Sequence, residues 1–171
     1  MHKVRIWVQG PWRRIFADDP APARGPQAIR LFAARGETEC FQAGIRIDGF
    51  ERNFLTAEVS DLAGPEGGRI PRECVDVFYP ECVPVKWGIA FQAPGDIERK
   101  PPAFFPDPLL EQWSFAAVGA TAAGTSSVWV RVRVPESARP GLYHGTLSVA
   151  AGWRNRPGER PVAGGSARLR V

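Results

Sequence analysis

Hydrophobic and polar residues alternate most regularly between Ser127 and Val149, SVWVRVRVPESARPGLYHGTLSV. Val128, Val130, Val132 and Val134 fall on one side of an extended chain; Trp129, Arg131 and Arg133 fall on the other. Side chains along a strand point to opposite faces with a period of two, so this pattern buries one face and exposes the other. Pro135 to Gly141 interrupt the run, and the alternation resumes with Tyr143, Gly145, Leu147 and Val149 in phase. The stretch predicts two strands joined by a tight corner, as in a β-sandwich.

The same period recurs along the chain. Strands are predicted over Lys3 to Val8, Ala28 to Ala33, Thr38 to Ile47 and Phe54 to Ser60, and again over Ser166 to Val171. Within them, Phe41, Ala43, Ile45 and Ile47 share a face, as do Leu55, Ala57 and Val59. Asp18 to Pro26 reads as a proline-rich loop and Gly64 to Gly68 as a turn. Val75, Val77 and Tyr79 keep phase, followed by Val83, Val85 and Trp87. Pro80 and Pro84 lack an N–H donor, which assigns this segment to a sheet edge or a bulge. From Gly88 to Ala123 the alternation is lost, and a long loop is predicted there, of the kind that is disproportionately functional or interfacial.

Eighteen glycines and seventeen prolines are spread along the 171 residues. An interior proline costs a helix about 3 kcal/mol, so the spread favours short strands with frequent corners. The predicted fold is all-β: an immunoglobulin-like antiparallel β-sandwich with one long irregular excursion, forming a single domain over residues 1–171. A chain of this length buries about 70% of its unfolded surface, a core that needs no metal or disulfide.

The formal charge is +4, but the positive residues are scattered arginines; only Lys3, Lys86 and Lys100 are lysines. Nucleic-acid binders concentrate such charge on one stripe, so an arginine-rich solvated surface is expected and no nucleic-acid partner. Cys40, Cys74 and Cys82 form no CxxC pair and are odd in number, which gives neither a disulfide framework nor zinc-ligand spacing. Buried thiols are expected, with a Cys74–Cys82 bridge as the alternative. No run approaches the roughly 18 apolar residues of a membrane-spanning helix. The opening MHKVRIWVQGPWRRIF lacks the apolar region of a secretory signal. That reads as cytoplasmic by default, and as extracytoplasmic if a leader was removed.

Three segments, RGETECFQAGIRI (Arg35 to Ile47), FFPDPLLE (Phe104 to Glu111) and VWVRVRVPESARPGLYHGTLSV (Val128 to Val149), occur in the order and spacing of a known family. Together with FLTAEVSDL and VFYPECVPV between them, they resemble the N-terminal β-sandwich domain of glycoside hydrolase family 123 and its relatives. The resemblance covers about Trp7 to Val171. It implies a β-N-acetylgalactosaminidase-like enzyme in which a TIM barrel follows the sandwich. An adjacent Asp-Glu pair on the barrel acts with the substrate's own acetamido group. This sequence has no Asp-Glu dipeptide, Asp18-Asp19 being the nearest approach, so no catalytic residue carries over. The resemblance therefore implies the accessory domain without its catalytic partner.

The residues themselves offer little chemistry. Glycoside hydrolysis uses two carboxyl groups across a bond, or one with an assisting substrate. Glu37 and Glu39 share a strand face, with nothing predicted to converge on them, and carboxylates in so arginine-rich a chain are expected to pair with arginine. His144 falls opposite Tyr143 and is expected to be exposed; with His2 it gives no metal-ligand spacing, and no GxSxG elbow is present. No metal or cofactor is predicted. Asp107, held between Pro106 and Pro108, is stiff enough to cap a turn or to meet an arginine across a domain boundary. Trp129, beside Arg131 and Arg133, has three readings: covered by the 88–123 loop, docked on a catalytic barrel, or stacked on a sugar. Trp87 and Trp113 flank that loop and fit any of the three.

Three functions follow, in order. The first is a non-catalytic module supporting a TIM-barrel catalytic domain, in cis or on a separate chain, of an enzyme acting on N-acetylhexosamine glycans. The second is an autonomous carbohydrate-binding module, and the third a structural immunoglobulin-like interaction domain. A free-standing enzyme comes last.

Overall fold

The computed structural model describes residues 4–47, 54–88, 95, 97–112, 124–152 and 163–170. Two β-sheets face each other. The first has the order β1 (Val4–Gln9), β3 (Thr38–Ile47), β9 (Thr125–Arg133), β7 (Val75–Val85), β8 (Ala103–Leu110). The second runs β2 (Ala28–Arg30), β11 (Ala163–Arg170), β10 (His144–Gly152), with β4 (Phe54–Val59) and β5 (Leu62–Ala63) pairing with β10 and β6 (Arg69–Ile70) beyond β5. Pairing is antiparallel except between β2 and β11. Helical structure among the described residues is confined to 3-10 turns, among them Pro65–Gly67 and Arg72–Cys74. The all-β sandwich expected from the alternation is what forms.

The core lies where the two alternating faces meet. Val128, Val130 and Val132 on β9 and Phe41, Ala43 and Ile45 on β3 are fully buried against Leu55, Val59, Leu147, Val149 and Ala151 of the second sheet. The Val128–Val149 stretch crosses from one sheet to the other, because β9 belongs to the first and β10 to the second. Its corner is held locally. Val134 donates to the Glu37 carbonyl and accepts from the Gly36 N–H, both at 2.9 Å, extending the β3–β9 ladder past its last paired residues. The Tyr143 hydroxyl donates to the Arg139 carbonyl at 2.9 Å, a tyrosine corner of the type seen in immunoglobulin-like sandwiches. The Tyr143 ring lies so close over Gly64 that a Cβ there would sit 2.3 Å from Cε1.

Two features differ from the sequence reading. The segment from Gly88 to Ala123 contains a strand, β8, paired with β7 from Tyr79↔Leu110 to Val85↔Ala103. Its prolines, Pro106 and Pro108, mask the alternation, and the outermost position in the sheet tolerates their missing donors. The register shift falls between Pro80 and Cys82, so β7 carries the bulge its prolines predict and β8 takes the edge. A Cys74–Cys82 bridge is also ruled out: all three cysteines are free. Cys82 lies eight residues along β7 from Cys74, roughly 26 Å at 3.3 Å per residue, whereas a disulfide needs Cα atoms within about 7 Å.

The loop that follows β1 forms a third layer. Trp7 falls out of phase with Ile6 and Val8, on the side of the first sheet facing away from the core. It is nonetheless only 5% exposed, because Ile15 and Ala21 pack on it. The indole ring lies flat against Gly44, where a Cβ would sit 2.2 Å from Cε2. Gln42, also buried, donates Nε2 to the Arg13 carbonyl at 2.9 Å, and Val8 donates to the Pro26 carbonyl at 2.8 Å.

Candidate interaction face

With its core side filled, the first sheet offers its outward side and its β8 edge for function. The loop over Trp7 covers the β1–β3 half. It is fastened to β8 and to the segment preceding it by two arginines. Arg14 donates Nη1 to Glu98 at 3.0 Å, its backbone N–H to the other Glu98 oxygen at 2.7 Å, and Nη2 to Asp107 at 3.1 Å. Arg99 donates to Asp18 and, at 3.0 Å, to Asp19; its guanidinium stacks 3.6 Å from the Phe16 ring centroid. Phe16 meets Phe105 of β8 edge-on, with centroids 5.5 Å apart. The Arg99 hydrogen bond holds the Asp18 carboxyl below its ordinary range, and the Glu98 hydrogen bond raises Arg14. Asp107 is thus neither a turn cap nor, within this chain, a partner left over: it meets an arginine of the β1–β2 loop.

The remaining half of the outward face carries Trp129, Arg131 and Arg133. Asp76 on β7 accepts from Arg131 Nε at 2.9 Å and also from Arg133, whose Nη2 reaches the Glu73 carbonyl at 2.7 Å. Arg131 also lies 5.0 Å from the centroid of Phe78. Trp129 is half-buried, and burial raises the pKa of the neighbouring Cys40 thiol. Burial likewise raises Cys82. The face is an aromatic–arginine strip already knitted together internally.

Trp87, past the end of β7, is 84% exposed and stands apart from that strip. Trp113 lies outside the described residues. Trp12 at 95%, Phe32 at 77% and Leu142 at 45% are exposed apolar side chains that the alternation does not reveal, because all three sit in connections. Phe32 falls within the strand predicted over Ala28 to Ala33, but β2 ends at Arg30 and leaves it in the connection.

Further carboxylates pair with arginine. Besides those above, Asp61 pairs with Arg69 at 2.9 Å and Glu66 with Arg139 at 2.7 Å. Glu37 accepts the Ala34 N–H at 2.7 Å and so closes the turn into β3. His144 is exposed at the start of β10. No group of His, Cys, Asp and Glu among the described residues is arranged to hold a metal ion. A cleft of about 260 Å³ opens between the 31–37 connection and the 134–143 corner, lined by Ala33, Arg35, Val134, Ala138, Pro140 and Tyr143 among others, with no carboxylate in its lining.

The sequence model of the glycoside hydrolase 123 N-terminal domain matches residues 17–151. A family 123 glycoside hydrolase from Clostridium perfringens, described for its hydrolysis of glycolipid glycans, superposes with a TM-score of 0.76 over 98% of the chain at 15% identity. The match covers 27% of that protein's chain. AvmM, which catalyses macrocyclization in alchivemycin A biosynthesis, matches with a TM-score of 0.41 and 13% identity over 99% of this chain and 88% of its own. The seventh PapD-like domain of human CEP192 matches at 0.35 and 13%, over 96% and 82%. Both scores fall below what a shared fold requires. No curated protein sequence matches the chain.

Proposed function

Because the chain belongs to the glycoside hydrolase 123 N-terminal domain family, we propose that it is a non-catalytic accessory domain that packs on and supports a TIM-barrel catalytic domain. The enzyme so formed acts on N-acetylhexosamine-containing glycans. The observation that carries the reading is where the acids point. Asp18, Asp19, Glu98, Asp107 and Asp76 are bound to arginines on the surface, and the cleft at the corner has no carboxylate in its lining. A glycosidase site needs one or two carboxyl groups flanking a bound sugar, at least one of them protonated to act as acid. Arginine pairing does the opposite at Asp18, whose carboxyl the Arg99 hydrogen bond holds below its ordinary range.

The test is an assay with an aryl N-acetyl-β-galactosaminide. The polypeptide that joins this domain to its barrel is expected to turn it over, and residues 1–171 alone are not. Turnover by the 171-residue chain would end the reading.

A second reading, glycan binding by the domain itself, draws on Trp87, whose exposure leaves its ring free to stack on a sugar. Trp129 offers less of its ring for such a platform, since it is half-buried on β9. Titration with galactosamine- and glucosamine-containing glycans, followed by tryptophan fluorescence, separates the two: binding lost in Trp87→Ala favours this one. An interaction domain that pairs through its sheet edge is disfavoured by Pro106 and Pro108, which leave β8 short of donors.

A further inference from the structure

The strand directions sort the connections to two ends of the sandwich. β3 and β7 begin at one end, where β9 finishes: Thr38 pairs with Arg133, and Val75 with Val132. β10 begins at that same end after the 134–143 corner, and Arg170, the last residue of β11, pairs with both His144 and Arg30. Phe32 lies two residues beyond Arg30, and Leu142 two before His144. Both therefore sit at the end towards which β11 carries the chain, and both are exposed. Between the segments that bear them lies the 260 Å³ cleft, whose lining is mostly apolar: Ala33, Ala34, Val134, Ala138 and Pro140. Arg30 and Arg35 stand exposed at this end and take part in none of the ion pairs among the described residues.

We propose that this corner end, with Phe32 and Leu142 on either side of the cleft, is the surface on which the catalytic domain seats, by an apolar side chain in the cleft and carboxylates facing Arg30 and Arg35. The proposal rests on the reading above that such a domain is the partner, and adds which face it occupies. Interfaces of this kind combine a buried apolar centre with a charged rim, and arginine is enriched in them. The rival surface at β8 is less suited. Trp12 and Trp87 are more exposed, but Arg14 and Asp107 there already satisfy each other, and prolines blunt the strand. At the corner end two arginines take part in no ion pair among the described residues.

Carbene footprinting of the full polypeptide, comprising this domain and its catalytic domain, tests the assignment. For each side chain the labelling rate in the unfolded chain is divided by the rate in the native one. Phe32 and Leu142 are expected to be protected at least about tenfold, and Trp12 hardly at all. Protection of Trp87, with Phe32 and Leu142 fully reactive, overturns the face while leaving the accessory function standing. If neither Trp87 nor Phe32 and Leu142 are protected, the accessory reading fails with it. Protection of Phe32 and Leu142 that grows with protein concentration in residues 1–171 alone assigns the surface to a second copy and overturns the proposal.

Discussion

The phenol oxygen of Tyr79 accepts the backbone N–H of Ala57 at 2.9 Å, joining β7 of the first sheet to β4 of the second. β10 pairs with β4 along its other side, so Tyr79 satisfies a donor that the ladder leaves unused. The bond lies at the margin of the core, where Tyr79 is 8% exposed, and burial raises its pKa. Tyr79→Phe is expected to cost about 1–3 kcal/mol, the penalty for stranding a buried donor. A pKa higher in the fold than in the unfolded chain means that the stabilisation is complete below the unfolded value, near 10, and is lost as pH rises through the folded one. Urea titrations of both proteins between pH 7 and 11 should therefore show the gap narrowing at the alkaline end. A gap that widens there contradicts the bond.

Arg99 anchors the third layer to Asp18 and Asp19 with its face on Phe16. These groups are largely at the surface, so Arg99→Met is expected to lower global stability by no more than about 1 kcal/mol. The local effect is larger: the Phe16 and Thr125 amides, which bond Asp19 and the Ala17 carbonyl, should exchange faster. The Asp18 carboxyl has its pKa lowered in the fold, so its contribution is present above the ordinary value of 3.8 and lost as pH falls through the folded one. Hydrogen exchange compared at pH 7 and in acid checks this; a wild-type advantage that persists undiminished well below pH 3.8 counts against it.

Gly44→Ala tests the layer from the other side. The new methyl would overlap the Trp7 ring at 2.2 Å, with β1 and β3 unable to part without breaking their ladder. We expect about 1–3 kcal/mol of destabilisation, and tryptophan emission shifted to the red as the indole is displaced towards water. Unchanged stability would mean that the ring does not lie on Gly44.

Ellman titration of unfolded, unreduced protein should count three thiols. In the native protein Cys40 and Cys82 should react more slowly than free cysteine at pH 8, because burial raises both above the usual thiol range and depletes the reactive thiolate. Fewer than three thiols would restore the bridge that the length of β7 rules out.

The alternating stretches were legible because their partners are interchangeable apolar surfaces: Val128, Val130 and Val132 need only some core to face. β8 was not, since its prolines erase the period and its edge position removes the need for one. Trp7 did announce the third layer, by placing a large ring on what alternation marks as the outer face, but nothing nearby says what covers it. The polar contacts were least readable. Arginines and carboxylates are plain in the sequence, yet Arg14 finds its mates 84 and 93 residues away, and Arg99 finds its own 81 and 80 away. Charge carries no periodicity that would encode such distances. The spacing of Trp129, Arg131 and Arg133 places them on one face; the engagement of both arginines by Asp76 depends on β7 flanking β9, which is a fact of topology.

That β10 pairs with β4, β5 and β11 sets an order on how the chain matures as it leaves the ribosome. β4 and β5 are made some eighty residues before the strand that receives them, and β2 waits for β11 at the far end of the chain. Until residues 144–170 have emerged the second layer cannot assemble, and the apolar face of the first has nothing to close on. Pairings so distant in sequence make for slow folding, with the apolar face of the first sheet uncovered in the meantime.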